Sequence, residues 1–597
     1  MLPAADPHPV PEGLAAWRER LLSGGDGLVA ALQRCRDAAQ SAPAQSIWIS
    51  LATPVQWQQQ LDLLTARLAE PLPRAELVRR YPLLGVPFAA KDNIDIAGVP
   101  TTAACPAFAY VPTRHATVVQ RLVDAGALWL GKTNLDQFAT GLVGTRSPYG
   151  RPSSVFDPQR ISGGSSSGSS VAVARGQVAF ALGTDTAGSG RVPALFNGLV
   201  GLKPTPGRVS TAGVVPACRS IDCVSVFAHG VDDAAQVLAV LEGADALDAY
   251  SDFQPGPARL PWPLRIGVPA RPEFFGDAGY APCFDAALAQ AREQGHQVVA
   301  MDFAPLFEVA ALLYEGPWVA ERHSVVQRLL AERPEVLDDT VRRVIGRAVG
   351  LSATQTFEAM YRLRALQSRL RTLWEQVDVL MVPSAPGHPR FAEVDADPVG
   401  VNARLGTYTN FVNLLGWSAL ALPEGRTAIG LPFGLTFIAP GGADAALIDL
   451  ARRWQGLPAP AGLPLPAVQP TLPIAVVGAH LSGLPLNGQL LERGAVLREA
   501  TRTAPHYRLY ALPGTQPPKP GLQRVAEGGA AIELEVWDMP LAAVGLFLAL
   551  IPPPLGLGSV QLADGRHVHG FLCEAHALVG ARDISHHGGW RAYLATL

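Results

Sequence analysis

The chain has 597 residues, too many for one hydrophobic core, so two or more domains are expected. Its 48% hydrophobic and 17% charged content excludes a disordered chain, and a net charge of −3 offers nothing to draw nucleic acid or an anionic membrane. Six cysteines, at 35, 105, 218, 223, 283 and 573, are scattered with no C-x-x-C pair. That argues against a disulfide framework or a zinc site and for reduced thiols in the cytoplasm. The opening "MLPAADPHPVPEG" holds no basic region followed by an apolar run, so no secretory leader is expected.

The first stretch with a chemical reading is "GVPFAAKDNIDIAG" at 85–98. Lys91 closes an apolar run that reads as a strand. A lysine there is either a solvated strand tip or, if buried, a base whose pKa desolvation has lowered. The second stretch is "ISGGSSSGSSVAVARG" at 161–176. Its composition suits a flexible linker, but it runs straight into "VAVA", which reads as packed helix. It lacks the lysine of G-x-x-x-x-G-K-[ST] and the spacing of G-x-G-x-x-G, so a phosphate loop is not supported.

The third stretch is "TDTAGSGR" at 184–191, where Ser189 stands between two glycines. It is either a turn that needs glycine or a nucleophile that needs bare backbone. No G-x-S-x-G elbow is present, so a histidine-assisted serine is not supported. Serine at its ordinary pKa needs a base. A neutral lysine relaying through a second hydroxyl can supply one, and the small residues before Ser189 leave backbone N–H groups to face a developing oxyanion.

Further along, "LRIGVP" (264–269), "HQVVAMDF" (296–303) and "VDVLMVP" (377–383) read as buried strands, and "CFDAALAQAREQG" (283–295) as a helix closed by glycine. Strands alternating with helices predict an α/β sheet covered on both faces. Residues 455–470, "QGLPAPAGLPLPAVQP", read as a semi-rigid linker between a domain at 1–454 and a second at 471–597. In the second, 531–537 and 570–575 read as strands around a buried helix at 541–551, a small α+β fold. The prolines bounding that helix leave it too short to span a bilayer.

"AAKDNID", "GGSSSGSS" (163–170) and "GTDTAGSGRVPA" (183–194) together resemble the three hallmarks of the amidase-signature family, in the same order and spacing. The resemblance covers roughly residues 30–450. It implies a central mixed sheet covered by helices, with Ser189 as nucleophile, Ser165 on a cis peptide as bridging serine and Lys91 as base. It also implies an oxyanion hole from the N–H groups of Thr186, Ala187, Gly188 and Ser189. Ser167 departs from the usual glycine, which leaves Ser166 as a second candidate bridge. Asp185 and Arg191 are expected to order the loop as a charged pair.

Further stretches at 405–425 and 430–440, and the C-terminal "PLGLGSVQLADGR" and "DISHHGGWRAYL", resemble the allophanate-cleaving branch of that family. "LLYEGPWVAERHSVV" (312–326) then implicates Tyr314 and Arg322 in substrate contacts, although Arg322 beside Glu321 also fits a solvated helix face. The implied substrate, allophanate, is small, planar and anionic, and arginine suits its carboxylate. No cofactor or metal is implied. The C-terminal domain resembles a γ-glutamyl-cyclotransferase-like fold linked to decarboxylation of the amidase product. Its candidate groups are His480, His569, His586 and His587, with His586 favoured on family position. The implied assembly is a cytoplasmic homodimer, linked to a separate biotin-dependent urea carboxylase. The competing readings are another small-amide hydrolase or an amidotransferase subunit.

Overall fold

The computed structural model describes residues 12–23, 26–41, 46–458, 462 and 464–597. The expected absence of a leader falls on 1–13, of which 1–11 lie outside the described residues; so do 459–461 and 463 of the proline-rich stretch. The chain forms two compact units, residues 1–256 with 263–467, and 257–262 with 468–597.

The first unit is built on one eleven-stranded sheet. Its strands are Trp48–Leu51 (β1), Pro87–Lys91 (β2), Leu128–Thr133 (β3), Phe180–Asp185 (β4), Val200–Lys203 (β5) and Cys223–Ala228 (β6). Arg265–Pro269 (β7), Gln297–Met301 (β8), Val379–Pro383 (β9), Ser418–Arg426 (β10) and Pro432–Ala439 (β11) complete it. Their order is β1-β3-β2-β4-β6-β5-β10-β11-β9-β7-β8. β2 runs parallel to β3 and β4, and β7 parallel to β8 and β9, whereas β4, β5, β6, β10 and β11 pair antiparallel among themselves. The sheet is therefore mixed. The three strands and the helix expected between 264 and 383 are all present, the helix as Tyr280–Glu293, but β8, at the edge of the sheet, is not the buried strand expected: none of its residues is buried.

Why β2 and β4 lie at the centre follows from their residues. "PFAAK" and "FALGTD" are buried at every position, the pattern of strands covered on both faces. In their parallel register Ala90 faces Leu182, so both strands end side by side and deliver Lys91 and Thr184 to one place. The helix Ser167–Ala174, made only of Ser, Gly, Ala and Val, is buried over seven of its eight residues. Small residues let it approach closely: a Cβ on Gly168 would stand 2.2 Å from Ile47 O.

The second unit is β-rich. A five-stranded sheet comprises Thr471–Val476 (β12), Val496–Arg502 (β13), Glu533–Pro540 (β16), Leu555–Gln561 (β17) and His567–Cys573 (β18). A three-stranded one holds Tyr507–Ala511 (β14), Pro520–Arg524 (β15) and Arg582–Asp583 (β19). Ile474, Tyr507, Val536, Trp537, Met539, Phe547 and Trp590 form its core. The buried helix expected at 541–551 is not there. Met539 and Pro540 finish β16, and only Val544–Leu548 is α-helical after a 3₁₀ turn. Leu541 and Leu546 face solvent, and only Phe547 of that helix is buried. Prolines at 540 and 552–554 limit the helix, and the sheet takes the flanking apolar residues instead. No helix among the described residues is long and apolar enough to cross a membrane.

Candidate active site

Lys91 is fully buried, and its Nζ donates to Ser165 Oγ at 2.7 Å and to Thr184 Oγ1 at 2.8 Å. Burial pushes the ammonium down to about 7, against the pull of Asp136, Asp222 and Asp185. A buried lysine of that pKa is substantially neutral at physiological pH and carries a lone pair. Thr184 Oγ1 also accepts from Asn93 Nδ2 at 3.3 Å. Giving one N–H to Thr184 leaves neutral Lys91 a second N–H and a lone pair, and either can face Ser165 Oγ. The residue pattern did not single out Thr184 or Asn93. Both lie inside the quoted stretches, but nothing in a sequence says which side chains of a strand end face one another.

Ser165 follows a cis peptide bond from Gly164. Its carbonyl accepts from Asp136 N at 3.1 Å. Gly164 is required here, because a Cβ would lie 2.1 Å from Asp136 Oδ2. Asp136 in turn accepts from the N–H groups of Gly144 and Arg146, both at 2.9 Å, and burial raises its carboxyl pKa. The structure separates the two candidate bridges. Ser166 Oγ donates to Thr184 O at 3.2 Å and does not reach Lys91. The departing Ser167 donates to Asn134 O at 3.3 Å, a bond that ties its helix to the neighbouring loop.

Ser189 sits in the turn between β4 and the helix Val192–Phe196. Asp185 shapes that turn. Its carboxylate takes two bonds from Arg191, each 2.9 Å, and the N–H groups of Gly188 at 2.8 Å and Gly190 at 3.0 Å. Burial works to raise the Asp185 pKa, but Arg191 and these donors hold it below the ordinary value. Gly188 has φ 134°, and a Cβ there would meet Thr409 Oγ1 at 2.4 Å. Because the Gly188 N–H is directed at Asp185, the N–H groups of Thr186, Ala187 and Ser189 are what remain of the expected oxyanion set. Thr186 Oγ1 donates to Asp222, whose carboxylate also anchors Ala217 N at 2.7 Å. Ser189 Oγ donates to Gly141 O at 3.4 Å, and among the described residues no hydrogen bond joins it to Ser165.

Arg322 is 2% exposed, so the solvated-face reading is wrong; Glu321, its neighbour, is the residue that turns outward to bond Ser220. Arg322 Nη1 donates to Ala139 O at 3.3 Å and to Thr140 Oγ1 at 3.1 Å. Its guanidinium lies 5.3 Å from the centre of the Tyr314 ring. Ser189 and Arg322 thus lean on one three-residue segment, 139–141. Arg322 Nε and Nη2 are buried with no hydrogen-bond partner, and no carboxylate among the described residues pairs with them.

In the second unit the four candidate histidines separate. His569 and His586 are exposed, and His587 packs 4.1 Å from His586. His480 lines a small cavity of about 40 Å³ together with Leu486, Lys519, Leu550, Ile551 and Phe571. His480 Nε2 donates to Gln489 Oε1 at 2.9 Å, which leaves Nδ1 as the free nitrogen, and burial lowers its pKa. No cluster of three His, Cys, Asp or Glu side chains among the described residues is placed to hold a metal ion.

Residues 56–448 match the family model described as Amidase, and 472–595 the one described as Allophanate hydrolase C-terminal domain. The chain is 44% identical over 595 residues to urea amidolyase of Saccharomyces cerevisiae, covering 95% of this chain and 32% of that protein. It is 34% identical over 476 residues to a glutamyl-tRNA(Gln) amidotransferase subunit from Chlorobium luteolum, covering 73% of this chain and 96% of that one. A solved structure of the Kluyveromyces lactis allophanate hydrolase superposes with a TM-score of 0.80 at 41% identity, covering 99% of this chain and 100% of the other. The chain spans about a third of the length of the urea amidolyases it matches.

Proposed function

Because the chain belongs to the amidase family over residues 56–448 and matches the allophanate hydrolase C-terminal domain over 472–595, we propose that it hydrolyses allophanate to ammonia and carbon dioxide. The observation that carries this substrate is Arg322, a buried cation with two unpartnered nitrogens beside the segment that Ser189 touches. An unpaired buried charge costs several kcal/mol. A small anionic substrate removes that cost by offering a carboxylate to the open edge of the guanidinium. An uncharged amide does not. The amidotransferase reading leaves residues 472–595 without a role.

The mechanism follows from the proton positions. Neutral Lys91 takes the proton of Ser165 as Ser165 takes that of Ser189. Ser189 Oγ attacks the terminal amide carbon, and the N–H groups of Thr186, Ala187 and Ser189 face the oxyanion. The proton returns through Ser165 to the departing nitrogen, and ammonia leaves. Water, activated along the same path, cleaves the acyl-enzyme and frees a dicarboxylated amine. These steps need neither metal nor organic cofactor. The carboxylation of urea that supplies the substrate belongs to a biotin-dependent carboxylase outside these 597 residues.

Arg322→Ala is expected to lower kcat/KM for allophanate by about 100-fold or more, the scale of a lost buried charge contact. An uncharged diamide such as malonamide should lose far less. Ammonia release from both substrates measures this, and an equal loss on both would mean that Arg322 only supports the fold.

For the later step we place proton transfer at His480 in preference to His586, since His480 lines a cavity and Lys519 stands there to meet a carboxylate. The dicarboxylated amine would gain a proton on nitrogen as its C–N bond breaks and carbon dioxide leaves, giving carbamate. His480→Ala is expected to leave the first ammonia release intact and to let the dicarboxylated amine accumulate in carbon-13 NMR. His586→Ala should behave as wild type. Unchanged decay of the intermediate in a folded His480→Ala enzyme would remove the second unit from the chemistry.

A further inference from the structure

The peptide planes of the turn around Ser189 are held by their carbonyls. Asn413 Nδ2 donates to Asp185 O at 2.8 Å, and Thr409 Oγ1 donates to Ala187 O at 2.6 Å. Gly188 O accepts from Arg191 N and Val192 N, both at 2.9 Å. None of these peptides is cis. In a trans peptide the C=O and the N–H point opposite ways, so a carbonyl pulled to one side aims its N–H to the other. Between Ala187 and Gly188 both ends are seen, the carbonyl at Thr409 and the N–H at Asp185 Oδ1. By the same rule Asn413 turns the Thr186 N–H away from itself, and the bonds to Gly188 O turn the Ser189 N–H away from the following helix. No hydrogen bond among the described residues takes the N–H of Thr186 or of Ser189.

Two of these carbonyl donors come from one place. Thr409 and Asn413 are four residues apart, share one side of the helix Asn410–Leu414, and are both buried. Thr409 precedes the first turn, where a threonine ordinarily caps the N–H groups of its own helix. It makes no such bond, and its hydroxyl goes to Ala187 instead. Arg191 Nη2, which grips Asp185, also donates to Thr409 O at 3.2 Å and to Asn413 Oδ1 at 3.4 Å. The turn needs this outside hold. Gly188, at φ 134° and without a Cβ, sets little steric barrier to a flip of the Ala187–Gly188 plane.

We propose that Thr409 and Asn413 are positioning residues for acyl transfer: they pin the Asp185–Thr186 and Ala187–Gly188 peptides so that the N–H groups of the turn stay aimed at the oxyanion. The inference rests on Ser189 as the nucleophile, and not on which amide it attacks. Both side chains are spent on backbone carbonyls, so their effect falls on the rate and not on substrate binding. The oxyanion exists only beyond the ground state, and a group that serves it alone changes kcat and leaves KM.

The test uses the full chain with Thr409→Val, which keeps the shape and loses the hydroxyl, and Thr409→Ser, which keeps the hydroxyl. Removing one oxyanion donor costs about 10²–10³-fold in kcat, and a donor that is mis-aimed costs less. Thr409→Val is therefore expected to lose about 10-fold or more in kcat on allophanate and malonamide alike, with KM unchanged. Thr409→Ser should recover the rate, and Asn413→Ala should repeat the pattern of Thr409→Val. Thermal unfolding checks that each variant is folded at the assay temperature. Phosphonylation of Ser189 by a small alkyl fluorophosphonate, followed by mass spectrometry, reads the same N–H groups without a substrate, because the P=O oxygen takes the place of the oxyanion. Thr409→Val should be labelled about 10-fold more slowly than wild type, and Thr409→Ser at the wild-type rate. Wild-type protein left unlabelled at Ser189 would overturn the nucleophile and this inference with it. Labelling of wild type and folded Thr409→Val at equal rates, or a loss carried by KM, would overturn this inference alone.

Discussion

Ser189→Ala is expected to reduce ammonia release from allophanate by a factor on the order of 10⁴ or more, with the fold intact. Removing the nucleophile of a covalent mechanism leaves only binding and oxyanion contacts, which is why losses of this size are the rule. Stability should hardly change. Ser189 is 3% exposed, and its hydroxyl makes one long bond, 3.4 Å to Gly141 O, a contact worth less than about 1 kcal/mol. The comparison is single-turnover ammonia release against circular dichroism and thermal unfolding of the same preparation. A folded variant within threefold of wild type would place the nucleophile elsewhere.

Lys91 gives the second large effect. Lys91→Arg is expected to cost about 10³-fold or more in kcat/KM, because guanidinium stays protonated at any workable pH and has no lone pair to offer Ser165. Arginine is also larger than the fully buried site it would enter, so Lys91→Met, close in length and uncharged, is the companion variant. Loss in both, with folding kept in Lys91→Met, assigns the effect to the base. The pH profile gives the sign independently. The active form is the neutral amine, and burial lowers its pKa to about 7. Activity should therefore rise with pH through about 7 and level off above it. A profile flat from pH 6 to 9 would mean that Lys91 does not act as the base.

Much of this site was legible in the residues. The apolar run before Lys91 read as a strand, and the structure places it as β2, buried at every position. The glycines of 163–170 and 183–194 mark backbone that must pass close to something, and at Gly164 and Gly188 the something is Asp136 and Thr409. The helix expected at 541–551 failed for a reason of the same kind. An apolar run between prolines is compatible with helix or strand, and β16 and β17 take the apolar residues on either side of it.

What sequence alone determined was the set of chemical groups and their order: a lysine at a strand end, a serine-rich tract feeding a helix, and a serine among glycines. Local preference and hydrophobic period act over a few residues, so these are readable. Tertiary structure decided which groups touch. Parallel pairing of β2 with β4 puts Lys91 against both Ser165 and Thr184, across 74 and 93 residues of chain. It also set Ser165 and not Ser166 within hydrogen-bond reach of Lys91, turned the Gly188 N–H to Asp185, and buried Arg322 rather than Glu321. It put a cavity at His480 and left His586 in solvent. Each of these depends on contacts between residues far apart in the chain. A buried charge is set by everything packed around it, and no window of sequence contains that surrounding.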